Sequence, residues 1–521
     1  MQFQAFIDDL SDITVINPEK LADQANQEVT VVTNDSRKAT SGAVFVALSG
    51  SQTDGHLYAS KAIESGALAV VVQAGHPVQF PPEHNTIILE SPNTYRAFAA
   101  FNGKFYGNPT ANMRLVGVTG TNGKTTVTHL IERILADAGK PVGLIGTLGT
   151  RSGGSGQAGK TSESKEDYQS LGNTTPLAHD LQRTLANLRD GGSKFVVMEV
   201  SSHALEQDRV YGCDFEVAVM TNVTQDHLDY HLTMENYCAA KAKLFSGLGP
   251  AEGKPSRSAV INLDDPWAKV FVEAMPSGIQ TFTYSLNDQA AAIRAKDVSF
   301  GIEGAKFTVI TPDGEAPVNL KIAGEFSVYN ALAALAAGLA LGLPLAQCVQ
   351  SLEQVPGIRG RFEVVSENPY VIVDYAHTPD GLENVLSAAR MITPKDARLI
   401  AVFGCGGDRD ATKRPKMGGI AERLADVLVV TSDNPRTEDP QQIITDVLTG
   451  IQRFDANTMT VQPDREKAIH QAIDMAQPND IIVVAGKGHE DYQILADRTI
   501  HFDDKEIVQA YVARKQTTVQ G

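Results

Sequence analysis

The stretch Gly117-Val118-Thr119-Gly120-Thr121-Asn122-Gly123-Lys124-Thr125-Thr126 decides the fold of the central part of this chain. It overlaps the end of an apolar run, Met113–Val118, that predicts a strand, and it leads into a helix predicted from about Thr125 to Ala138. Apolar residues of the helix keep the i, i+3, i+4 spacing of one buried face, and Gly139 and Pro141 end it. A strand, a glycine loop and a helix in this order open an α/β domain.

The glycine loop has the composition of a phosphate-binding loop. Glycines let backbone N–H groups turn towards phosphate oxygens, and the helix that follows adds the positive end of its dipole. Lys124 supplies a cation for the β- and γ-phosphates, and the Thr125 hydroxyl can bind Mg²⁺. The strict P-loop pattern has glycine where this chain has Val118, so the motif is a shortened variant. The alternative is a tight structural turn, but the flanking strand and helix favour phosphate binding.

Two turn-rich breaks, Tyr106–Thr110 and Val355–Gly357, divide the 521 residues. We therefore predict three domains, at 1–110, 111–357 and 358–521, all of the α/β class. The first alternates short β-rich runs with helical patterns, and the second opens with the glycine loop. Regularly spaced apolar strands predict a doubly wound third domain. The stretch 151–166, rich in glycine, serine and lysine, predicts a loop.

Charge and cysteine content exclude several classes of protein. With 45 basic and 62 acidic residues the net charge is −17, which argues against binding to nucleic acid or to an anionic membrane. The N-terminus lacks the pattern of a signal peptide, and the most apolar stretch, Ala331–Ala346, predicts a buried helix rather than a membrane span. The cysteines form no C-x-x-C pair, which favours a reducing cytoplasm; they are Cys213, Cys238, Cys348 and Cys405.

Candidate metal ligands follow the next two predicted strands. Glu199 ends the run Phe195–Met198, where a carboxylate can bind Mg²⁺ but could also face solvent. The later segment Asp226–His231 holds two aspartates and two histidines, which can bind a metal or relay protons, although a lone cluster of this kind is more often a hydrogen-bonded loop. Lys241 and Lys243 follow on a predicted helix, and the residues alone predict solvated charges for both.

The order of these motifs resembles that of the Mur ligase family, ATP-dependent enzymes that form amide bonds in peptidoglycan precursors. The resemblance spans nearly the whole chain. Its segments are Thr119-Gly120-Thr121-Asn122-Gly123-Lys124-Thr125-Thr126, Glu199-Val200-Ser201-Ser202-His203, Asn222, Asp226-His227-Leu228-Asp229 and Ala239-Ala240-Lys241. It implies a UDP-binding N-terminal domain, a central P-loop-type ATPase domain with a parallel sheet, and a Rossmann-like C-terminal domain.

The resemblance also implies roles for single residues around ATP and Mg²⁺. Lys241 matches the family lysine that carries a carbamate made from CO₂. The implied catalytic residues are Lys124, Glu199, His227 and Lys241, and the implied Mg²⁺ ligands are Thr125, Glu199, His227 and carbamylated Lys241. The implied ATP contacts are Gly120, Thr121, Asn122, Gly123, Lys124, Thr125, Thr126, Asn222, Arg361, Asp374 and His377.

Within the family the chain is most similar to the branch that adds meso-diaminopimelate to UDP-N-acetylmuramoyl-L-alanyl-D-glutamate. Asp433-Asn434-Pro435-Arg436 resembles the signature of that branch, and lysine-adding members usually differ at the arginine. The implied sugar-peptide contacts are Ser36, Asn173, Thr174, Thr175, Ser201, Gln207 and Arg209. The implied amino-acid contacts are Arg409, Asn434, Arg436, Gly486 and Glu490.

Three alternatives to diaminopimelate addition stay open at this point. They are a lysine-adding sister ligase, a folylpolyglutamate synthetase, which shares the glycine loop, and a non-catalytic P-loop regulator. The segment Asn34–Arg37 favours a UDP substrate over folate, and a regulator has no use for Lys241, His227 and Arg436 together. Nothing in the sequence demands an oligomer, so we expect a monomer.

Overall fold

In a computed structural model of the protein, the chain forms three α/β units, each built around its own sheet. The structure describes all residues except 9, 11, 51–52, 154–167, 170–171, 250–255, 454, 456–457 and 521. Most of the loop predicted at 151–166 therefore lies outside the described residues, and residues 151–153 belong to a strand.

The N-terminal unit is a five-stranded sheet of order β1-β5-β4-β3-β2, parallel except for β1. Its strands are β1 Thr14–Val15, β2 Val31–Thr33, β3 Ala43–Val46, β4 Ala69–Gln73 and β5 Ile87–Ser91. Its helices are α1 Phe3–Ile7, α2 Pro18–Gln24, α3 Ala59–Glu64 and α4 Thr94–Phe105. Helices α1 and α4 pack on one face and α3 on the other.

The central unit is a ten-stranded sheet of order β15-β14-β13-β12-β11-β10-β6-β9-β7-β8. Strand β6, which precedes the glycine loop, is parallel to both of its neighbours, β9 and β10. The strands are β6 Arg114–Thr119, β7 Val142–Gly146, β8 Gly149–Gly153, β9 Phe195–Glu199, β10 Phe215–Met220, β11 Ser258–Asn262, β12 Gln280–Ser285, β13 Ile293–Gly301, β14 Gly304–Thr311 and β15 Gly314–Leu320.

Helices cover both faces of this sheet, which is why its inner strands are apolar throughout. Helices α5, α11 and α12 pack on one face, and α6, α9 and α10 pack on the other. The helices are α5 Lys124–Asp137, α6 Ala178–Asp190, α7 Ser202–Glu206, α8 Leu228–His231, α9 Met234–Ser246, α10 Ala268–Ala274, α11 Glu325–Ala340 and α12 Leu345–Gln354.

The C-terminal unit is a six-stranded sheet of order β16-β17-β21-β18-β19-β20, parallel except for β16. Its strands are β16 Glu363–Glu367, β17 Tyr370–Asp374, β18 Leu399–Phe403, β19 Val427–Val430, β20 Met459–Val461 and β21 Ile481–Ala485, with a separate hairpin of β22 Tyr492–Ile494 and β23 Thr499–His501. Its helices are α13 Pro379–Ile392, α14 Lys413–Leu424, α15 Pro440–Leu448, α16 Arg465–Met475 and α17 Asp504–Gln520.

The predicted α/β class with a parallel central sheet is confirmed, and the boundaries at 110 and 357 stay predictions. The single buried helix predicted over Ala331–Ala346 is wrong at its C-terminal end. Helix α11 stops at Ala340 because Gly342 has a left-handed φ of 83° and Pro344 cannot continue the helix. Among the described residues, no helix is both long and apolar enough to cross a membrane.

Candidate active site

The glycine loop joins the carboxyl end of β6 to the start of α5, and its backbone requires glycine at two positions. Gly120 has a φ of 152° and Gly123 a φ of 84°. A Cβ at Gly120 would collide with the Thr221 hydroxyl, and one at Gly123 with the Asn330 side chain. Lys124 folds back over the loop, and its Nζ donates to the carbonyl oxygens of Gly120 at 2.9 Å and Thr121 at 2.8 Å.

Glu199 lies beside this loop because β9 is the parallel neighbour of β6. The side chain is buried, so a solvent-facing acid is excluded. Its Oε2 accepts hydrogen bonds from Oγ1 of Thr125 at 3.1 Å and Oγ1 of Thr147 at 3.0 Å, and its Oε1 accepts one from the Thr147 backbone at 2.8 Å. A carboxylate and a hydroxyl at this spacing form an oxygen-rich pair that suits a hard cation.

His227 lies in the loop that follows β10, and its backbone has a left-handed φ of 53°. Its Nε2 is 3.4 Å from Oδ2 of Asp226. Burial, opposed by Asp226 and reinforced by His203, holds the pKa of His227 well below its ordinary value, so the imidazole is neutral at pH 7. A neutral imidazole has a nitrogen lone pair for a metal ion.

Lys241 is buried, so the expectation of a solvated charge is wrong for this lysine. Its Nζ donates to the Gly120 carbonyl oxygen at 2.7 Å and lies 4.3 Å from the centre of the Tyr237 ring. Burial and the nearby Lys124 lower the pKa of Lys241 well below its ordinary value. Lys243, two residues on, is half-exposed and forms an ion pair with Glu206 at 2.7 Å, as a surface lysine does.

The C-terminal unit reaches the same loop through Arg361, which lies just before β16. The Arg361 Nη2 donates to Oγ1 of Thr125 at 3.0 Å, and Asp380 of α13 accepts a hydrogen bond from Asn122. Asp374, at the end of β17, accepts bonds from the Phe362 and Ala376 backbones, and burial raises its pKa.

These groups line one cavity of ≈ 520 Å³ between the central and C-terminal units. Except for Gly120 and Lys241, all the residues expected to contact ATP or Mg²⁺ line this cavity. Thr174, expected at the sugar-peptide, lines it as well. Sequence reasoning missed much of the far wall, including Thr147, Asn262, Asp264, Tyr329, Asn330 and Asp380. Asn262 ends strand β11 and Asp264 follows it, so the rule that ligands bind at the carboxyl ends of parallel strands could have found them.

Four of the residues expected at the sugar-peptide form a connected group beside Glu199. The Thr175 hydroxyl donates to the Glu199 carbonyl oxygen at 2.9 Å and accepts from the Ser201 backbone at 3.0 Å. Arg209 donates to the Thr175 carbonyl oxygen at 2.8 Å and to Oε1 of Gln207 at 2.7 Å. Asn173 is exposed next to this group, whereas Ser36 lies in a short 3₁₀ turn of the N-terminal unit.

Four of the five residues expected at the amino acid lie on the loops after β19 and β21, and Arg409 lies on the loop after β18. Asn434 Nδ2 donates to Oε2 of Glu490 at 2.9 Å, and Gly486 has a φ of 124°. Arg436 has a left-handed φ of 54°, and its Nη1 donates to the Gly407 carbonyl oxygen at 2.8 Å. Arg409 is exposed, and its Nη1 donates to the carbonyl oxygen of Asp408 rather than to this group.

Comparison with known proteins covers all three units. The chain matches the families described as "Mur ligase family, catalytic domain" over residues 28–99, "Mur ligase middle domain" over 118–338 and "Mur ligase, glutamate ligase domain" over 360–488. It is 47% identical, over 92% of its length and 91% of the relative's, to the UDP-N-acetylmuramoyl-L-alanyl-D-glutamate--2,6-diaminopimelate ligase of Synechocystis sp..

The chain belongs to the Mur ligase family.

Two further comparisons place it within the Mur ligases. The ligase of the same description from Geobacillus thermodenitrificans is 45% identical over 94% of this chain and 96% of the relative. A solved structure of a UDP-N-acetylmuramoyl-L-alanyl-D-glutamate--2,6-diaminopimelate ligase is 34% identical, covers 95% of this chain and 96% of its own, and superposes with a TM-score of 0.65. The predicted resemblance to the family is therefore confirmed.

Proposed function

We propose that this Mur ligase adds meso-diaminopimelate to UDP-N-acetylmuramoyl-L-alanyl-D-glutamate and converts ATP to ADP and phosphate in the reaction. The names of its relatives at 42–47% identity support this substrate pair. The observation that carries the proposal is the contact of Thr125 with both Glu199 and Arg361, next to Lys124, in one cavity between two units.

The first step joins the terminal carboxylate of the D-glutamyl residue to phosphorus. A carboxylate oxygen attacks the γ-phosphorus of ATP, and the bond between that phosphorus and the β-phosphate oxygen breaks. The products are an acyl phosphate on the D-glutamyl residue and free ADP. Negative charge spreads over the oxygens of the transferring group, so positioned cations stabilise the transition state. Lys124 and Arg361 are the cations placed for this. To reach the transferring group, Lys124 Nζ needs only to leave its two carbonyl partners in the loop.

Mur ligases use ATP and Mg²⁺, and the donors present here fit a hard cation. The hydroxyl of Thr125, the carboxylate of Glu199 and the neutral imidazole of His227 line the same cavity at the loop. When bound, Mg²⁺ offsets the charge of the phosphate oxygens.

We further propose that Lys241 carries a carbamate and thereby becomes the fourth ligand. Its burial favours the neutral amine, whose nitrogen lone pair can attack CO₂ with release of one proton. The product has the oxygen donors of a carboxylate, and its place beside the Gly120 carbonyl puts it next to the loop. The carbamate is an anion, so it also replaces the repulsion between Lys241 and Lys124 with attraction.

In the second step the free amine of diaminopimelate attacks the acyl carbon, loses a proton, and phosphate leaves. We propose that Arg436 binds the remote carboxylate and Glu490 the remote ammonium of this substrate. An arginine can hold a carboxylate through two hydrogen bonds. Free lysine as the substrate has no remote carboxylate, so it would leave the arginine unpaired. The remaining amino-acid contacts proposed are Arg409, Asn434 and Gly486.

On the sugar-peptide side we propose contacts from the connected group around Thr175, with Ser36 for the uridine diphosphate. The proposed domains are 1–110 for that nucleotide sugar, 111–357 for ATP and 358–521 for the amino acid. We propose a monomer that acts in the cytoplasm, as the absence of a C-x-x-C cysteine pair favours.

One assay separates this function from its alternatives. Phosphate release from ATP is measured with and without the UDP-muramoyl dipeptide and diaminopimelate, and the amino acid is then varied over diaminopimelate isomers, lysine and ornithine. The proposal requires release that depends on both substrates and prefers meso-diaminopimelate. Preference for lysine would identify a lysine-adding ligase, and equal turnover without either substrate would rule out the ligase.

A further inference from the structure

Lys487 is a fully buried cation that the proposed reaction does not use. It follows β21 between Gly486 and Gly488, and its side chain is 0% exposed. A buried ammonium is costly unless it is paired and hydrogen-bonded, so its partners indicate why it is there.

The partners of Lys487 are the residues proposed to bind the amino acid. Its Nζ lies 3.2 Å from Oδ1 of Asn434 and 3.2 Å from Oε2 of Glu490, and it donates to both. Asn434 Nδ2 donates to the same Oε2 at 2.9 Å, which closes a triangle of three side chains. Nζ is also 3.7 Å from Oδ1 of Asp433, an oxygen that accepts no hydrogen bond from any described residue.

The surrounding backbone fixes this triangle. The Ile494 N–H donates to Oδ1 of Asn434 at 3.0 Å, so the amide has its oxygen towards Lys487 and its nitrogen towards Glu490. The Glu490 N–H donates to the Lys487 carbonyl oxygen at 2.9 Å. Gly488 has a φ of 53°, and a Cβ there would press on the backbone of Gly360, so this turn requires glycine where it packs against Gly360.

The charge balance also depends on Lys487. The carboxylates of Asp433 and Glu490 both lie within 4 Å of its ammonium. The neighbouring cation Arg465 also attracts both carboxylates, but its own hydrogen-bonded partner is Asp504, in a buried pair at 2.7 Å. Without Lys487 the ammonium between the two carboxylates would be lost, and their repulsion would move Glu490.

We propose that Lys487 is the positioning residue of the amino-acid site, holding Glu490 and Asn434 in the geometry that receives the ammonium end of the incoming amino acid. This inference rests on the proposed function, since that function assigns Glu490 and Asn434 to the substrate. Lys487 acts through Glu490 and does not touch the reacting atoms.

A double-mutant cycle tests the proposal with Lys487→Met, Glu490→Gln and the double variant. For Lys487→Met we expect the KM for diaminopimelate to rise roughly 10- to 100-fold, as when a buried charged group loses its partner. The KM values for ATP and for the UDP-muramoyl dipeptide should stay within about twofold. In the Glu490→Gln background Lys487→Met should add less than about threefold, because coupled residues are not additive.

The control is Lys515→Met, which removes a half-exposed ion pair between α17 and Asp474 of α16 and should change no KM. A rise in all three KM values together, no rise at all, or an additive cycle would overturn the role of Lys487. If Lys487→Met does not fold, Lys487→Gln, which keeps a hydrogen-bond donor, carries the same test. The proposed function is tested separately, by offering the wild-type enzyme the panel of diaminopimelate isomers, lysine and ornithine. The double-mutant cycle is then run with the amino acid that the wild-type enzyme prefers. If the wild-type enzyme incorporates none of these amino acids, both the proposed function and the role of Lys487 are overturned.

Discussion

The guanidinium of Arg361 donates a hydrogen bond from Nη2 to Oγ1 of Thr125 at 3.0 Å, which joins the C-terminal unit to the glycine loop of the central one. The same Oγ1 donates to Oε2 of Glu199 at 3.1 Å. One hydroxyl therefore connects a cation of one unit to a carboxylate of another, at the place where we expect the γ-phosphate and its metal ion. Arg361 can stabilise the transferring phosphoryl group only while the two units are together.

Replacing Arg361 by alanine should therefore impair catalysis more than folding. We expect kcat/KM for ATP to fall at least about 100-fold, or about 3 kcal/mol, as when one transition-state donor is lost. Steady-state phosphate release and the thermal unfolding midpoint measure the two effects. Arg423→Ala is the control, since Arg423 forms only a half-exposed pair with Glu383 and should lose less than about 1 kcal/mol of stability and no activity. Similar activity in both variants would contradict the role of Arg361.

The two lysines of α9 make a matched pair for the carbamate. Lys241→Ala should reduce activity by more than about 100-fold, because it removes the proposed metal ligand, and short carboxylic acids should partly restore it. Lys243→Ala removes only a half-exposed ion pair with Glu206 and should behave like wild type, with or without added acid. The measurement is phosphate release against concentration of the added acid. Full activity of Lys241→Ala, or failure of the added acids to restore any of its activity, would count against the carbamate.

Local sequence signals predicted the half of the site that lies at strand ends. Glu199 ends an apolar strand, Lys124 and Asn222 each come after one, and parallel strands bring their carboxyl ends to one edge. The burial of Lys241 could not be predicted from the residues, because it depends on α9 packing under the Gly120 carbonyl. Asp380 and Tyr329 were missed for a similar reason. They reach the cavity from helices that carry no motif, and only the packing of these helices brings them there.

Arg436 should decide which amino acid is accepted. Its guanidinium is the group proposed to hold the remote carboxylate of diaminopimelate, so Arg436→Ala should lower kcat/KM for this substrate about 100-fold. Use of lysine, which has no remote carboxylate, should change by less than about threefold. Incorporation of both amino acids by the variant is measured in competition. The exposed Arg498, beside Asp497, supplies the control Arg498→Ala. Equal losses for both amino acids in Arg436→Ala would show that the arginine does not discriminate.

His231 should make the protein less stable in mild acid. Burial, with His203 nearby, lowers the pKa of His231 from 6.5 to about 4, and its Nε2 is 3.0 Å from Oγ of Ser202. Between pH 6.5 and about 4 the unfolded chain therefore binds a proton that the folded protein does not. Stability due to this group is complete above pH 6.5 and falls as the pH drops towards 4, by at most about 3 kcal/mol.

Replacing His231 by glutamine, which keeps a polar group near Ser202 but does not titrate, should flatten that part of the stability profile. Urea unfolding at half-unit steps from pH 7.5 to pH 4 measures the slope. His501→Gln is the control, since His501 is exposed beside Glu506 and should leave the slope unchanged. If His231→Gln unfolds with the same pH dependence as wild type, the acid sensitivity comes from other groups and the lowered pKa of His231 is not its cause.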